Sequence, residues 1–271
     1  MTGGERAGLV RGRPRRRLLL TEVALVVAGV LVYFGVRGLT AASPATALAN
    51  AEHLVEVERG LGLDVETAVQ DLLLGWEPVV VVMNWVYIWG HWPVISAVLV
   101  WLFLTRQPAY REVRAVLLLS GAVGLVVFAG FPVAPPRLAD PSVVDTVTEH
   151  SNSYRVLQPA ALTNKYAAMP SLHVGWDLLM GIAIVGNARV AAVRAVGFVL
   201  PAVMVVSVVA TGNHYLVDAV AGVALVLASL AVVRRRQSRR GPWQAVPAGA
   251  VPRPRRGSDP DRYDPDRAVR R

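Results

Sequence analysis

Six runs of mostly apolar residues divide this chain, each close to the length that crosses a lipid bilayer. They cover residues 18–36, 78–104, 113–131, 170–188, 193–210 and 214–233. A helix needs about 20 apolar residues to span the hydrocarbon core. The pattern predicts an all-α, polytopic membrane helix bundle with six spans. Composition agrees: 54% of the 271 residues are hydrophobic and the mean hydropathy is +0.44, too apolar for a soluble domain of this size. The first run follows a basic start, as in a signal peptide. It is long for one, and no small-residue cleavage motif follows closely, so it reads as an uncleaved first span. Pro93, inside the second run, predicts a kink or break.

The joints between runs carry the polar residues. Residues 41–77 read as an amphipathic segment lying on the membrane surface. It has one helix with Leu54, Val57 and Leu61 among Glu52, Glu56 and Glu58, and a second over Asp64–Leu74, split at Gly60 and Gly62. Residues 132–169 read as a long proline-containing polar loop. Residues 1–17 form a basic tail, 18–236 the membrane domain, and 237–271 a tail of Pro, Arg and Asp that reads as disordered.

The net charge is +9. It sits in the tails and short joints and forms no aromatic-interleaved stripe, which argues for membrane orientation and against nucleic acid. Six arginines precede the first run. Arg106, Arg111 and Arg114 follow the second, Arg189 and Arg194 follow the fourth, and twelve lie from Arg234 onward. With six spans, all of these fall on one side. The expectation is a multi-pass cell-membrane protein with both termini cytoplasmic. The 41–77 segment, the 132–169 loop and the "TGNH" turn would then share the extracytoplasmic face. There are no cysteines, so disulfides and thiolate metal sites are excluded. No third histidine stands at a metal-like spacing beside the other two, so no metal or other cofactor is expected.

Two motifs interrupt the apolar pattern. "GNHYLVD" places His214 and Asp218 four residues apart, on one helix face. A carboxylate that takes one imidazole proton leaves the other nitrogen as base or nucleophile. A satisfied buried pair is the alternative, but ionisable residues within membrane spans are costly and usually functional. "MPSLH" puts Pro170 in the first turn of a helix with Ser171 beside it and His173 inside. A helix mouth of this kind binds anions, with a histidine poised to donate a proton. "FPVAPPRL" adds Arg137, either a bidentate phosphate ligand or an interfacial anchor.

In this order, "APPR", "YAAMPSLHVGW" and "TGNHYLVDAVAG" resemble the type 2 phosphatidic acid phosphatase superfamily, over about residues 40–233. They are most similar to its branch related to inositol phosphorylceramide synthases and inositol phosphotransferases. "ANAEHLVEVERGLGLDVETAVQ" resembles bacterial members of that branch. The resemblance implies that His214 attacks phosphorus and becomes a phosphohistidine. It implies that Asp218 orients His214 and that His173 protonates the leaving group, then helps to activate water or an acceptor alcohol. Arg137 and Ser171 would bind the phosphate. Two family cations are missing: a lysine seven residues before the arginine, here Gly130, and an arginine five residues before the second histidine, here Val209. Arg155, Lys165 and His91 are candidates to replace them. Asn164, Tyr166 and Asn213 are further accessory candidates beside the motifs. Asp177 repeats the four-residue spacing after His173. It orients His173, or favours its imidazolium, or faces a polar gap in the bundle.

The resulting expectation is an integral membrane lipid phosphatase or phosphotransferase. Its substrate would be a lipid phosphate or diphosphate, and its acceptor water or an alcohol such as inositol. Two other classes compete. A serine hydrolase built on Ser171 lacks the usual nucleophile turn. A non-catalytic lipid-binding or transport protein would need no His–Asp nucleophile.

Overall fold

The computed structural model describes residues 20–29, 31, 32, 35, 43–150 and 165–239. The tail 1–17 and residues 240–271 of the tail 237–271 lie outside the described residues, as do Arg155 and Asn164; residues 237–239, expected to be disordered, continue the last helix. The chain divides into two units, Met1–Arg234 and Arg235–Arg271. All that follows concerns the first.

The described residues are helical apart from joints and one isolated parallel bridge, Val133 with Ala167. In chain order the helices are α1 (Leu20–Gly29), α2 (Pro44–Leu61), α3 (Glu66–Leu74), α4 (Glu77–Trp89), α5 (Trp92–Thr105) and α6 (Gln107–Gly130). Then come α7 (Pro136–Ala139), α8 (Thr146–His150), α9 (Leu172–Asn187), α10 (Ala191–Ala210) and α11 (Leu216–Arg239).

Six spans were expected; among the described residues three helices, α6, α10 and α11, are long and apolar enough to cross a membrane. A fourth span results if α4 and α5, bent by 48° at their junction, count as one. The bend falls at Gly90–His91, with Pro93 in the first turn of α5, as the proline predicts. The fourth apolar run became α9, 16 residues. At 1.5 Å per residue it is about 24 Å long, short of the ~30 Å hydrocarbon core. It is also the most enclosed helix, packed against α5, α6 and α10. Its polar groups therefore meet protein rather than lipid. Of the first run, α1 is the described helix, and Glu22 ties it to Arg114 and Tyr110 of α6. The several apolar helices make this a multi-pass membrane protein.

The amphipathic segment splits as expected, with Gly62 closing α2 at φ +69°. Its faces differ from the expectation. Ala47, Ala51, Leu54 and Glu58 form the buried stripe, so Glu58 points inward instead of to solvent. Pro170 also differs. It precedes the N-cap of α9, Ser171, instead of entering the first turn.

Close helix approach organises the core around α9. A Cβ on Gly222 of α11 would stand 2.0 Å from the Ser171 carbonyl oxygen. Only a glycine lets the start of α9 sit against α11, the small-residue contact that membrane bundles use. Gly222→Val should force these elements apart. The expected result is a large drop in Tm in detergent, since overpacking costs about 1–3 kcal/mol where the neighbour can yield and more against backbone. A Tm within about 2 °C of wild type would contradict the contact.

Candidate active site

His214 lies in the turn between α10 and α11. Gly212 reverses the chain there at φ +65°, and its carbonyl accepts the Arg137 backbone N–H at 3.0 Å. The His214 side chain is buried, with Nδ1 2.8 Å from the Ala168 carbonyl oxygen and 3.5 Å from Asp218 Oδ2. A carbonyl only accepts, so Nδ1 carries the proton and Nε2 keeps its lone pair. Asp218 was expected to orient His214; the nearer acceptor is the Ala168 backbone. The shorter bond of Asp218 Oδ2 is from the Tyr215 N–H, at 2.9 Å. Its Oδ1 is buried without a hydrogen-bond partner.

The start of α11 is capped from outside the helix. Glu58 Oε1 accepts the Val217 N–H at 2.7 Å, and Glu66 Oε1 accepts the Leu216 N–H at 2.8 Å. With Asp218, three carboxylates converge on successive N–H groups that a helix start leaves unpaired. Burial is the main cause that pushes the Glu58 carboxyl up to about 8, with Glu66 and Asp218 adding to it against the bond from Val217. Burial likewise raises Glu66.

His173 is half-buried in the first turn of α9, its ring centroid 5.8 Å from that of His214. Two further rings reach it: Tyr87 at 4.7 Å and His91 at 4.3 Å. Asp177 does not pair with His173. Its Oδ1 lies 3.0 Å from His91 Nδ1, and both residues are buried. His91 is therefore at the site, as one half of a carboxylate pair.

Arg137 reaches the same place through its neighbour Asn213. Arg137 Nε donates to Asn213 Oδ1 at 3.0 Å, while Asn213 Nδ2 donates to Thr211 Oγ1 at 2.9 Å. Asp145 stands 3.7 Å from Arg137 Nε. Asn213 thus aims the arginine from the residue beside His214. Ser171 donates its backbone N–H to the Asp218 carbonyl at 2.9 Å. Its Oγ is buried with no hydrogen-bond partner, neither histidine included. That removes the base a serine nucleophile requires. Lys165 is exposed in a turn, and the Tyr166 carbonyl accepts the Val133 N–H at 2.8 Å. Gly130 faces open space, and Val209 is buried among apolar side chains.

The structure adds Ala168, Tyr87, Glu58 and Glu66 to the residues expected here. Ala168 acts through its backbone, which no side-chain pattern reveals. Tyr87 lies in the last turn of α4 and His91 just past the break, so no single-helix spacing marks the two as partners. Glu58 had a clearer signal: an acid in register with the apolar stripe of α2.

The sequence profile of the PAP2 superfamily matches residues 52–232. Comparison with curated proteins and with solved structures gave no match.

The Glu58 carboxyl yields a pH test. Its folded value, about 8, exceeds its ordinary 4.5. The folded state therefore binds more protons than the unfolded state between these values. The stability it contributes is complete below about 4.5 and is lost as the pH rises through about 8. Glu58→Gln keeps an acceptor for the Val217 N–H and does not titrate. The fall in Tm from about pH 5 to about pH 8 should shrink in this variant, leaving the smaller slope due to Glu66. An unchanged fall would show that Glu58 is not the titrating group.

Proposed function

The chain belongs to the PAP2 superfamily, and from that premise we propose an integral membrane enzyme that removes a phosphoryl group from a lipid phosphate or diphosphate. His214 Nε2 attacks phosphorus, so that an N–P bond forms and the P–O bond to the lipid breaks. His173 gives its proton to the departing oxygen. Water or an alcohol then attacks the phosphohistidine and passes its proton to His173. The N–P bond breaks, and both histidines return to their starting state. Arg137 neutralises the phosphate oxygens, with Ser171 and the start of α9 beside it. Asp218, 3.5 Å from Nδ1, offsets the positive charge that the His214 ring gains on phosphorylation.

One observation carries this reading. The Ala168 carbonyl holds the Nδ1 proton, which leaves a nucleophilic nitrogen on His214 with the His173 ring 5.8 Å away. A nucleophile and an acid must both reach one phosphoryl group. The substrate's tail has support too. A cavity of about 400 Å³ lies among α1, α5, α6 and α9, with Trp92 and Trp176 in its wall and Arg114 as its charged lining residue. Those tryptophans pack on His91, which packs on His173. A hydrocarbon chain suits such a wall. The likeness of "ANAEHLVEVERGLGLDVETAVQ" to the inositol phosphotransferase branch supports an alcohol such as inositol as acceptor, with water the other outcome. The arginine joints put the site on the extracytoplasmic face with cytoplasmic termini only if α1 and α9 also cross the membrane. A lipid carrier without chemistry would share the cavity but not the histidine arrangement.

Purified protein in detergent, offered phosphatidic acid, a polyprenyl diphosphate or a phosphoinositol lipid with and without inositol, tests substrate and acceptor. His214→Ala should abolish phosphoenzyme formation and turnover on every substrate. His173→Ala should slow the lipid reaction about 10²–10⁴-fold, the usual worth of a general acid, and spare phosphoenzyme formation from nitrophenyl phosphate. Asp218→Asn should be milder than His214→Ala, because Ala168 still fixes the tautomer. Rapid-quench trapping decides: label on His173, or label persisting in His214→Ala, reverses the assignment.

Filling the cavity tests the tail. Ala122→Trp should raise KM for a long-chain lipid phosphate about tenfold and leave nitrophenyl phosphate unaffected, since each buried CH₂ is worth about 0.8 kcal/mol. Equal KM changes for both substrates would remove the tail from this cavity.

A further inference from the structure

We propose that His91 and Asp177 form a positioning pair that holds the His173 ring in place for proton transfer; this rests on the phosphoryl-transfer reading above. The pair sits at the α4–α5 break, and His91 is 3% and Asp177 0% exposed. An ionisable pair so deeply buried adds little net stability over apolar residues of the same size. In an apolar bundle such a pair marks function.

The geometry points to what it does. His91 Nδ1 is anchored on Asp177 Oδ1 at 3.0 Å. The His91 ring is parallel to Trp176 within 2°, centroids 5.8 Å apart, and Trp176 Nε1 donates to Ser120 Oγ of α6 at 3.0 Å. His91 is thus fixed in position and orientation by α9 and, through Trp176, by α6. Against this fixed ring stands His173, 4.3 Å away and tilted by 38°. Tyr87, one turn before the break, stacks on His173 at 4.7 Å. A general acid must come within about 2.6–3.2 Å of the oxygen it protonates. A misplacement of about 1 Å can cost on the order of 10²-fold. His173 emerges at a helix start with one side toward the reaction centre. The bent α4–α5 segment supplies the packing that fixes its ring, and Asp177 keeps that packing from moving.

A positioning role and a merely structural one differ in leaving-group dependence. Loss of fold lowers the active fraction for every substrate alike. Misplacing the acid harms only substrates whose leaving group needs a proton. Three full-length variants distinguish these cases in detergent. His91→Gln keeps an N–H donor for Asp177 but removes the ring. Asp177→Ala keeps the ring but frees it. The double variant His91→Phe/Asp177→Leu keeps a ring and replaces the polar pair by apolar groups. The first two should lower kcat on an alkyl lipid phosphate about 10–100-fold. They should leave KM and the rate of phosphoenzyme formation from nitrophenyl phosphate within about twofold. The double variant should recover most of the lipid activity. Equal losses on both substrates, no loss, or no recovery in a folded double variant each overturn the positioning role while the phosphoryl-transfer reading stands. If His91→Gln or Asp177→Ala fails to fold, the double variant decides alone. Wild-type protein that forms no phosphoenzyme overturns both.

Discussion

A helix start presents backbone N–H groups that the helix cannot satisfy, and in an apolar bundle water is not at hand to take them. At the start of α11 the groups of Tyr215, Leu216 and Val217 go to Asp218, Glu66 and Glu58. Two of the three acceptors come from α2 and α3, far away in sequence. Helices α2 and α3 are thereby bound to the start of α11, beside His214. His214 precedes the first of these N–H groups by one residue, so its backbone is held by the same contacts. The Ala168 carbonyl then fixes the ring, and the Gly212 turn brings Arg137 alongside.

Negative charge is the cost of this arrangement. Three carboxylates crowd one helix end, and burial keeps Glu58 largely protonated near neutral pH. The positive helix terminus offsets part of the remainder. For the anionic substrate proposed, Arg137 is the cation of the expected pattern found at the site among the described residues; Gly130 and Val209 stand where the resemblance implied lysine and arginine. The reading proposed here therefore leans on neutral devices: a locked tautomer, stacked rings and an amide, Asn213, that aims the guanidinium.

Much of this was legible in the residues themselves. His173, His214, Asp218 and Arg137 are polar groups among apolar neighbours, and the two histidines do meet. Local spacing was reliable for Asp218 only in part and for Asp177 not at all. Both stand four residues after a histidine, but the nearest partner of each lies elsewhere: the Tyr215 N–H for one, His91 for the other. Helical spacing says which residues share a face; it does not say what a distant segment brings to that face. The span count failed for a related reason. Apolar length identifies segments that can sit in lipid, but a helix wrapped by others, such as α9, needs no membrane-spanning length. Lys165 is exposed in its turn, whereas Tyr166 packs against the cluster of Ala168 and Tyr215 beside the site.

The hydrogen bond from Val217 to Glu58 joins residues 159 apart. A ribosome makes α2 early and α11 near the end, so Glu58 enters the growing bundle long before its partner exists. The last helix to be made supplies the contact that completes the first part of the site. A chain synthesised only as far as α10 therefore lacks the contacts that hold the backbone around His214.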